Sequence, residues 1–456
     1  MAIESVNPST GTLLERFEPL SGTELEARLE RAALAFPDWR RRGFAERARC
    51  LQGLAGLLEA EEDRLARLAT TEMGKPIAQA RAEVRKCASA CRYFAEHGEE
   101  LARGEPGPAG RARRRCGTVL EPLGPVLAVM PWNFPFWQVV RFAAPALALG
   151  NVALLKHASN VPQVALAIED LTVRAGMPQG VFQTLLVDAG EVARLVADPR
   201  VRGVSLTGSE AAGRAVAAAA GAALKKSVLE LGGSDPFIVM PSADLDRAAE
   251  VGVRARVQNN GQSCIAAKRF LVHEAVADAF EERFVERMAS LEVGDPAEES
   301  VDVGPLATAR GRSDLSAQVD DARDKGAHVL LGGAAPERPG FFYSPTVLTG
   351  VEPGMRAYEE EVFGPVASLF RVRSAEEAVR LANDTSFGLG AAVFTEDDEE
   401  QRYFVESLEA GLVFVNSMVA STPELPFGGV KASGYGRELG AAGLREFANL
   451  KTVWVD

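Results

Sequence analysis

From Pro125 onward, short apolar runs alternate with longer amphipathic ones, and this alternation restricts the fold more than any other feature of the chain. Residues 126–130, 152–156, 182–187, 201–206 and 227–230 read as strands. Residues 136–149, 163–174, 191–197 and 211–221 read as the helices between them. Such spacing predicts a doubly wound parallel sheet, in which ligands bind at the carboxyl ends of the strands. The alternation resumes with strands at 237–240 and 270–272 and helices at 244–253 and 278–291, so two α/β units follow one another. Late strands are expected at 413–416 and 452–455. Residues 21–105 keep a helical period through Leu25, Leu29, Ala32, Leu54, Leu58, Leu65 and Leu68.

Composition narrows the function. The net charge of −13 argues against a dedicated nucleic-acid binder, which needs a basic face. Apolar stretches such as 143–155 are interrupted by Pro145, Gly150 and Asn151, short of the ~18 residues of a membrane span. The first residues, with Glu4 and Asn7, lack the pattern of a signal peptide, so a cytoplasmic protein is expected. Five scattered cysteines make no disulfide framework, and four scattered histidines make no zinc site or Ser-His-Asp triad. Cys87 and Cys91, one helical turn apart, read as small core residues. No metal is expected.

Four motifs point to chemistry. Cys264 ends Asn260-Gly261-Gln262-Ser263-Cys264, a polar glycine-containing loop of the kind that gives a thiol solvent access and backbone N–H groups. Glu230 ends a strand and is followed by Gly232 and Gly233, where a carboxylate near an apolar wall can act as a base. Asn133 is the one polar side chain of Pro131-Trp132-Asn133-Phe134-Pro135, a rigid carboxamide suited to an oxyanion. Thr207-Gly208-Ser209 opens a helix in a phosphate-compatible way. Taken singly, each has a bland reading as a core thiol, an ion-paired acid, a turn residue or a helix cap.

With Lys156, Glu361-Val362-Phe363-Gly364-Pro365 and Pro426-Phe427-Gly428-Gly429 added, the order and spacing of the motifs resemble the aldehyde dehydrogenase superfamily over nearly the whole chain. Residues 130–144, 155–162 and 230–238 are most similar to bacterial succinate-semialdehyde dehydrogenases. The resemblance implies two doubly wound parallel-sheet domains plus a small β oligomerisation element. The dinucleotide-binding domain would take 1–110 and 124–231, the catalytic domain 232–433, and the oligomerisation element 111–123 with 434–456. It implies oxidation of a semialdehyde by a homodimer or homotetramer. Cys264 would be the nucleophile, Asn133 the oxyanion donor, and Glu230 the base that activates water against the thioester. Trp132, Lys156, Ser159, Gly208, Ser209, Leu231, Glu361 and Phe363 would bind the cofactor. Arg141 would hold the substrate carboxylate, with Ser421 and Thr422 as hydroxyl donors, unless Arg141 is structural.

The cofactor expectation rests on Ser159. Many NAD-selective relatives carry a glutamate there, which repels a 2′-phosphate; serine removes that repulsion beside Lys156. NADP is therefore expected to be preferred, with NAD also used, unless Ser159 merely caps the next helix. Three departures stand out: Phe142 replaces a frequent lysine, Gln258 replaces a substrate arginine, and Ala266 replaces the second cysteine of a redox switch. The alternatives are an aldehyde dehydrogenase of other or broad specificity, a CoA-acylating reductase, which typically lacks the glutamate, and a non-catalytic crystallin-like protein.

Overall fold

The computed structural model describes residues 3–105 and 115–455. The helical region is four helices, Gly22–Arg41, Phe44–Ala60, Glu62–Met73 and Ile77–Leu101. The first begins in a capping box, where Ser21 and Glu24 satisfy each other's backbone N–H groups. Leu51, Leu54 and Leu58 are buried in one core with Val84, Cys87, Cys91 and Phe94, so the two cysteines do serve as packing.

Two sheets follow. The first has five parallel strands, Pro125–Met130, Val152–His157, Phe182–Thr184, Gly203–Thr207 and Lys226–Glu230. The second orders seven strands as His328–Leu331, Thr346–Thr349, Val366–Val372, Ala267–His273, Asp235–Val239, Gly390–Phe394 and Leu412–Val415. All its pairings are parallel except that of the first two. Phe237, Phe270, Phe280, Phe284 and Phe394 pack ring on ring beneath it.

The structure adds to the expected elements in three places. The strands Ile3–Asn7 and Thr12–Phe17 form an unforeseen hairpin, and four strands between 328 and 394 were also missed. Gly390–Phe394 is Gly-Ala-Ala-Val-Phe, fully buried yet poor in β-formers, so neither periodicity nor propensity marks it. The third extension concerns residues 434–456, expected wholly in the outlying β element. Gly434–Tyr435 instead runs antiparallel beside Lys226–Glu230, pinned where Leu231 N–H donates to Ser433 O. Ala448–Val455 does pair antiparallel with Arg115–Pro122 as a separate ribbon. Residues 111–114 of that element lie outside the described residues. No described helix is long and apolar enough to cross a membrane.

Candidate active site

Three connections converge on the space between the sheets. The Pro131–Pro135 loop leaves the strand Pro125–Met130 and enters the helix Trp137–Leu149. That helix has no cap of its own. Its Phe136 and Trp137 N–H groups instead donate, both at 2.9 Å, to Glu83 from the helix Ile77–Leu101. Glu83 is neutralised by buried Lys75, whose ammonium also lies 3.9 Å from the Phe134 ring centroid. His157 closes the loop from the other side. Its Nδ1 accepts the Ala158 N–H at 2.9 Å, so its Nε2 carries the proton and donates to Pro135 O at 2.9 Å. Burial pushes the His157 pKa down to about 4, which keeps this ring neutral.

The Cys264 loop is built on backbone that ordinary residues avoid. Asn259, Asn260 and Gly261 all have left-handed φ, at +56°, +59° and +75°. At Gly261 a Cβ would lie 2.3 Å from the Gly364 backbone, so only glycine fits. The asparagine side chains hold the turn. Asn260 Nδ2 donates to Gly74 O and Pro305 O, and its Oδ1 accepts Gly304 N–H. Asn259 Nδ2 donates to Asn133 O and Gln262 O, and Asn133 Nδ2 donates to Gln262 O at 3.1 Å. One amide hydrogen of Asn133 is thereby used. Lys268 then fixes the loop's far end, donating to Ser263 O and Cys264 O. Burial pushes the Cys264 pKa up to about 12, opposed by the nearby cations of Arg141 and Lys268.

Cys264 and Asn133 line a cleft of about 220 Å³ with Trp132, Thr207, Gly208, Ser209, Leu231, Gly232, Glu361 and Phe363. Six of the eight expected cofactor residues are therefore brought together. Trp132 and Phe363 meet edge to face at 5.9 Å. Glu361 accepts the Gly233 N–H at 3.0 Å and lies 3.5 Å from Lys268. Ser209 caps the helix Glu210–Ala222, and a Cβ on Gly208 would meet nothing closer than Leu206 at 3.7 Å. This open space before a capped helix suits a pyrophosphate. Lys156 is buried at the end of Val152–His157, and Ser159 is exposed in the following turn. The next helix is capped at Val161, so Ser159 is not its cap.

Glu230 sits behind the cleft, buried, with neither carboxyl oxygen bonded to a described side chain or backbone group. Burial raises its pKa well above the usual range; Arg141 opposes the shift and Glu438 adds to it. Its Oε1 lies 2.6 Å from where a Cβ on Gly428 would be, which explains the glycine in Pro426-Phe427-Gly428-Gly429.

The sequence profile described as the aldehyde dehydrogenase family matches residues 1–453. The chain belongs to that family. Like other aldehyde dehydrogenases it is an NAD(P)-dependent oxidoreductase, and its parallel-sheet architecture is the family's own. The succinate-semialdehyde dehydrogenase [NADP(+)] 1 of Mycobacterium tuberculosis is 56% identical over 457 residues, covering all of both chains. Succinic semialdehyde dehydrogenase from Streptococcus pyogenes, solved with NADP+, is 37% identical at a TM-score of 0.96, covering 99% of each chain. The Burkholderia pseudomallei succinate-semialdehyde dehydrogenase is 39% identical at a TM-score of 0.96, covering all of this chain and 94% of that one.

The expected substrate residues of this aldehyde dehydrogenase do not gather as the motifs suggested. Arg141 is buried and lines neither the cleft nor the larger cavity beside it. Its guanidinium pairs with Glu438, donates to Thr207 Oγ1 at 3.2 Å and lies 4.5 Å from the Phe427 ring centroid. The carboxylate partner of Arg141 is thus a residue of the protein. Ser421 is buried and accepts from Lys86 Nζ and Trp137 Nε1; Thr422 is half-buried. Lys86, Asn259, Lys268 and Glu438 carry no sequence signal of their own, since each matters through partners distant along the chain.

Proposed function

We propose that this aldehyde dehydrogenase oxidises succinate semialdehyde to succinate, using NADP by preference and NAD as a usable second cofactor. The observation that carries the chemistry is the convergence of Cys264, Asn133, Glu361 and Phe363 on one cleft, with unpartnered Glu230 behind it. The names of the relatives support the substrate and NADP.

Cys264 Sγ adds to the aldehyde carbon as the thiol gives its proton to a water molecule in the cleft. The carbonyl oxygen becomes an oxyanion, held by the remaining amide hydrogen of Asn133 and the Cys264 N–H. Bound NADP supplies the acceptor for the hydride that leaves this carbon, and a thioester remains on Cys264. Glu230 then takes a proton from water, the hydroxide adds to the thioester carbonyl, and the Cys264 thiolate departs. A carboxylate without donors around it is a stronger base than one in water, which suits this step. Trp132, Leu231, Glu361 and Phe363 would hold the nicotinamide half of the cofactor, Gly208 and Ser209 the pyrophosphate, and Lys156 and Ser159 the adenosine ribose.

Absorbance at the NADPH band tests the assignment. Cys264→Ala should abolish turnover of succinate semialdehyde. Glu230→Gln should retain a first burst of NADPH while steady turnover falls, because its role begins at the thioester. Activity retained in Cys264→Ala would overturn the mechanism, and strict dependence on added CoA would overturn the hydrolytic step.

The ribbon of Arg115–Pro122 and Ala448–Val455 exposes Val119, Leu450, Trp454 and Val455. Leu450 and Trp454 lie on one face of the ribbon and Val119 and Val455 on the other, and we read these exposed apolar side chains as the contact with a second copy, giving a homodimer or homotetramer. Five unpaired cysteines suit a reducing, cytoplasmic setting.

A further inference from the structure

The cavity of about 490 Å³ holds a cation that the chemistry at Cys264 leaves unused. Its walls come from the helix Ile77–Leu101, the Phe134–Trp137 segment and the helix Leu245–Val257 with Gln258. It adjoins the Cys264 cleft across one peptide link: Asn133 lines the cleft, and Phe134 lines the cavity. The cavity therefore borders the oxyanion loop on its Phe134 side.

Five charged side chains line it. Glu83 is paired with Lys75 and bound to two backbone N–H groups. Asp302 accepts the Glu292 N–H at 2.9 Å and is exposed. Glu250 and Arg254 are also exposed, on the outer part of their helix. Besides the paired Glu83, only Lys86 of the five is not exposed. Its ammonium lies 4.2 Å from the Trp137 ring centroid and donates to Ser421 Oγ at 2.8 Å. Among the described residues, no carboxylate lies within ion-pairing distance of it. Ser421 Oγ also accepts from Trp137 Nε1 at 3.1 Å, so two donors use its lone pairs and its own hydroxyl hydrogen is left to donate.

We propose that Lys86 and Ser421 together receive the carboxylate at the far end of the aldehyde substrate, with Trp137 holding both in place. Two N–H groups of Lys86 on the cavity wall, and the O–H of Ser421 bonded behind it, supply three donors to one carboxylate; the remaining wall is apolar, exposed, already neutralised or, at Gln79 and Gln258, an uncharged carboxamide. The assignment rests on the substrate reading above. It gives the carboxylate site to a lysine of the helix Ile77–Leu101 rather than to Arg141 or the position of Gln258. Burial, reinforced by Arg141, pushes the Lys86 pKa down to about 8, which leaves the ammonium mostly charged at neutral pH.

The test compares kcat/KM for succinate semialdehyde with that for butanal, its uncharged counterpart, in wild type, Lys86→Met and Lys86→Arg. A charge-assisted contact predicts that the ratio falls about 10–100-fold in Lys86→Met, through KM. Lys86→Arg should restore most of the ratio. Weaker competitive inhibition by succinate in Lys86→Met, read at fixed butanal, checks the site without turnover of the acid. A ratio unchanged in Lys86→Met, or both substrates lost together with no rescue by arginine, overturns the proposal while leaving the substrate reading intact. If wild type prefers a longer carboxylated aldehyde, and Lys86→Met loses that preference, the proposal stands and the substrate reading falls. A wild type with no preference for carboxylated aldehydes overturns both.

Discussion

Asn259 Nδ2 donates to the carbonyl oxygen of Asn133 at 2.7 Å and to that of Gln262 at 3.0 Å, so one side chain joins the oxyanion loop to the nucleophile loop. Asn133 Nδ2 returns the link by donating to the same Gln262 oxygen. The separation of donor and nucleophile is therefore set by a three-residue network.

Asn259→Gly should show what that network is worth. Glycine adopts the left-handed φ of +56° without strain, so the change removes the amide and spares the turn. Misplacement of about 1 Å at a reacting centre costs up to ~100-fold, and kcat should fall by about 10–100-fold with KM little changed. Asn133→Ala, which removes the oxyanion donor itself, should cost about 100–1000-fold. Equal kcat in Asn259→Gly and wild type would mean that the two loops hold their spacing without this amide.

Iodoacetamide reactivity should report the state of Cys264. Burial raises its pKa to about 12, so the thiol is neutral at pH 7 and the thiolate fraction grows as pH rises. Alkylation in the absence of cofactor should climb nearly tenfold per pH unit from about pH 7 to pH 9, without a plateau. A plateau near pH 7 would show that Arg141 and Lys268 outweigh burial.

Ser159→Glu tests cofactor choice. Ser159 is exposed just beyond the strand that carries Lys156, and it is not spent as a helix cap. A carboxylate about 4 Å from a 2′-phosphate is repelled by roughly 1–4 kcal/mol, depending on the local dielectric. KM for NADP should rise by about one to three decades and KM for NAD much less. Parallel changes in both, or a wild type that strongly favours NAD, would sink this reading of Ser159.

Arg141→Leu separates a structural arginine from a substrate arginine. It leaves Glu438 buried without its cation, at a cost of about 3–5 kcal/mol in thermal unfolding measurements. Adding Glu438→Leu should recover most of that loss. Arg141 also opposes the effect of burial at Glu230 and Cys264, so its removal should move the rise of activity with pH upward. A selective loss on succinate semialdehyde against butanal, with stability intact, would return Arg141 to the substrate.

Cys264, Glu230 and Asn133 were legible because each sits in a contiguous motif whose neighbours have their own reason to be there. The glycine of Phe427-Gly428-Gly429 makes room for Glu230, and the left-handed Asn-Asn-Gly turn aims the Cys264 loop. The first sheet was legible because its strands are apolar runs bounded by amphipathic helices. Between 328 and 394 that contrast fades: His328–Leu331 is half exposed, and Gly390–Phe394 is small-residue backbone packed on both faces. The surroundings of Arg141 were hidden for another reason. Its motif position speaks of substrate, but its partner Glu438 lies 297 residues later, and only the fold brings the two together.

The two cavities share no lining residue and meet along the chain at the link between Asn133 and Phe134. Selection of the aldehyde and selection of the cofactor thus become separable traits. Substitutions at Lys86 and at Ser159 draw on different contacts, so their free energies should add. A lineage, or an engineer, can retune one preference without renegotiating the other, while the peptide between Asn133 and Phe134 constrains both.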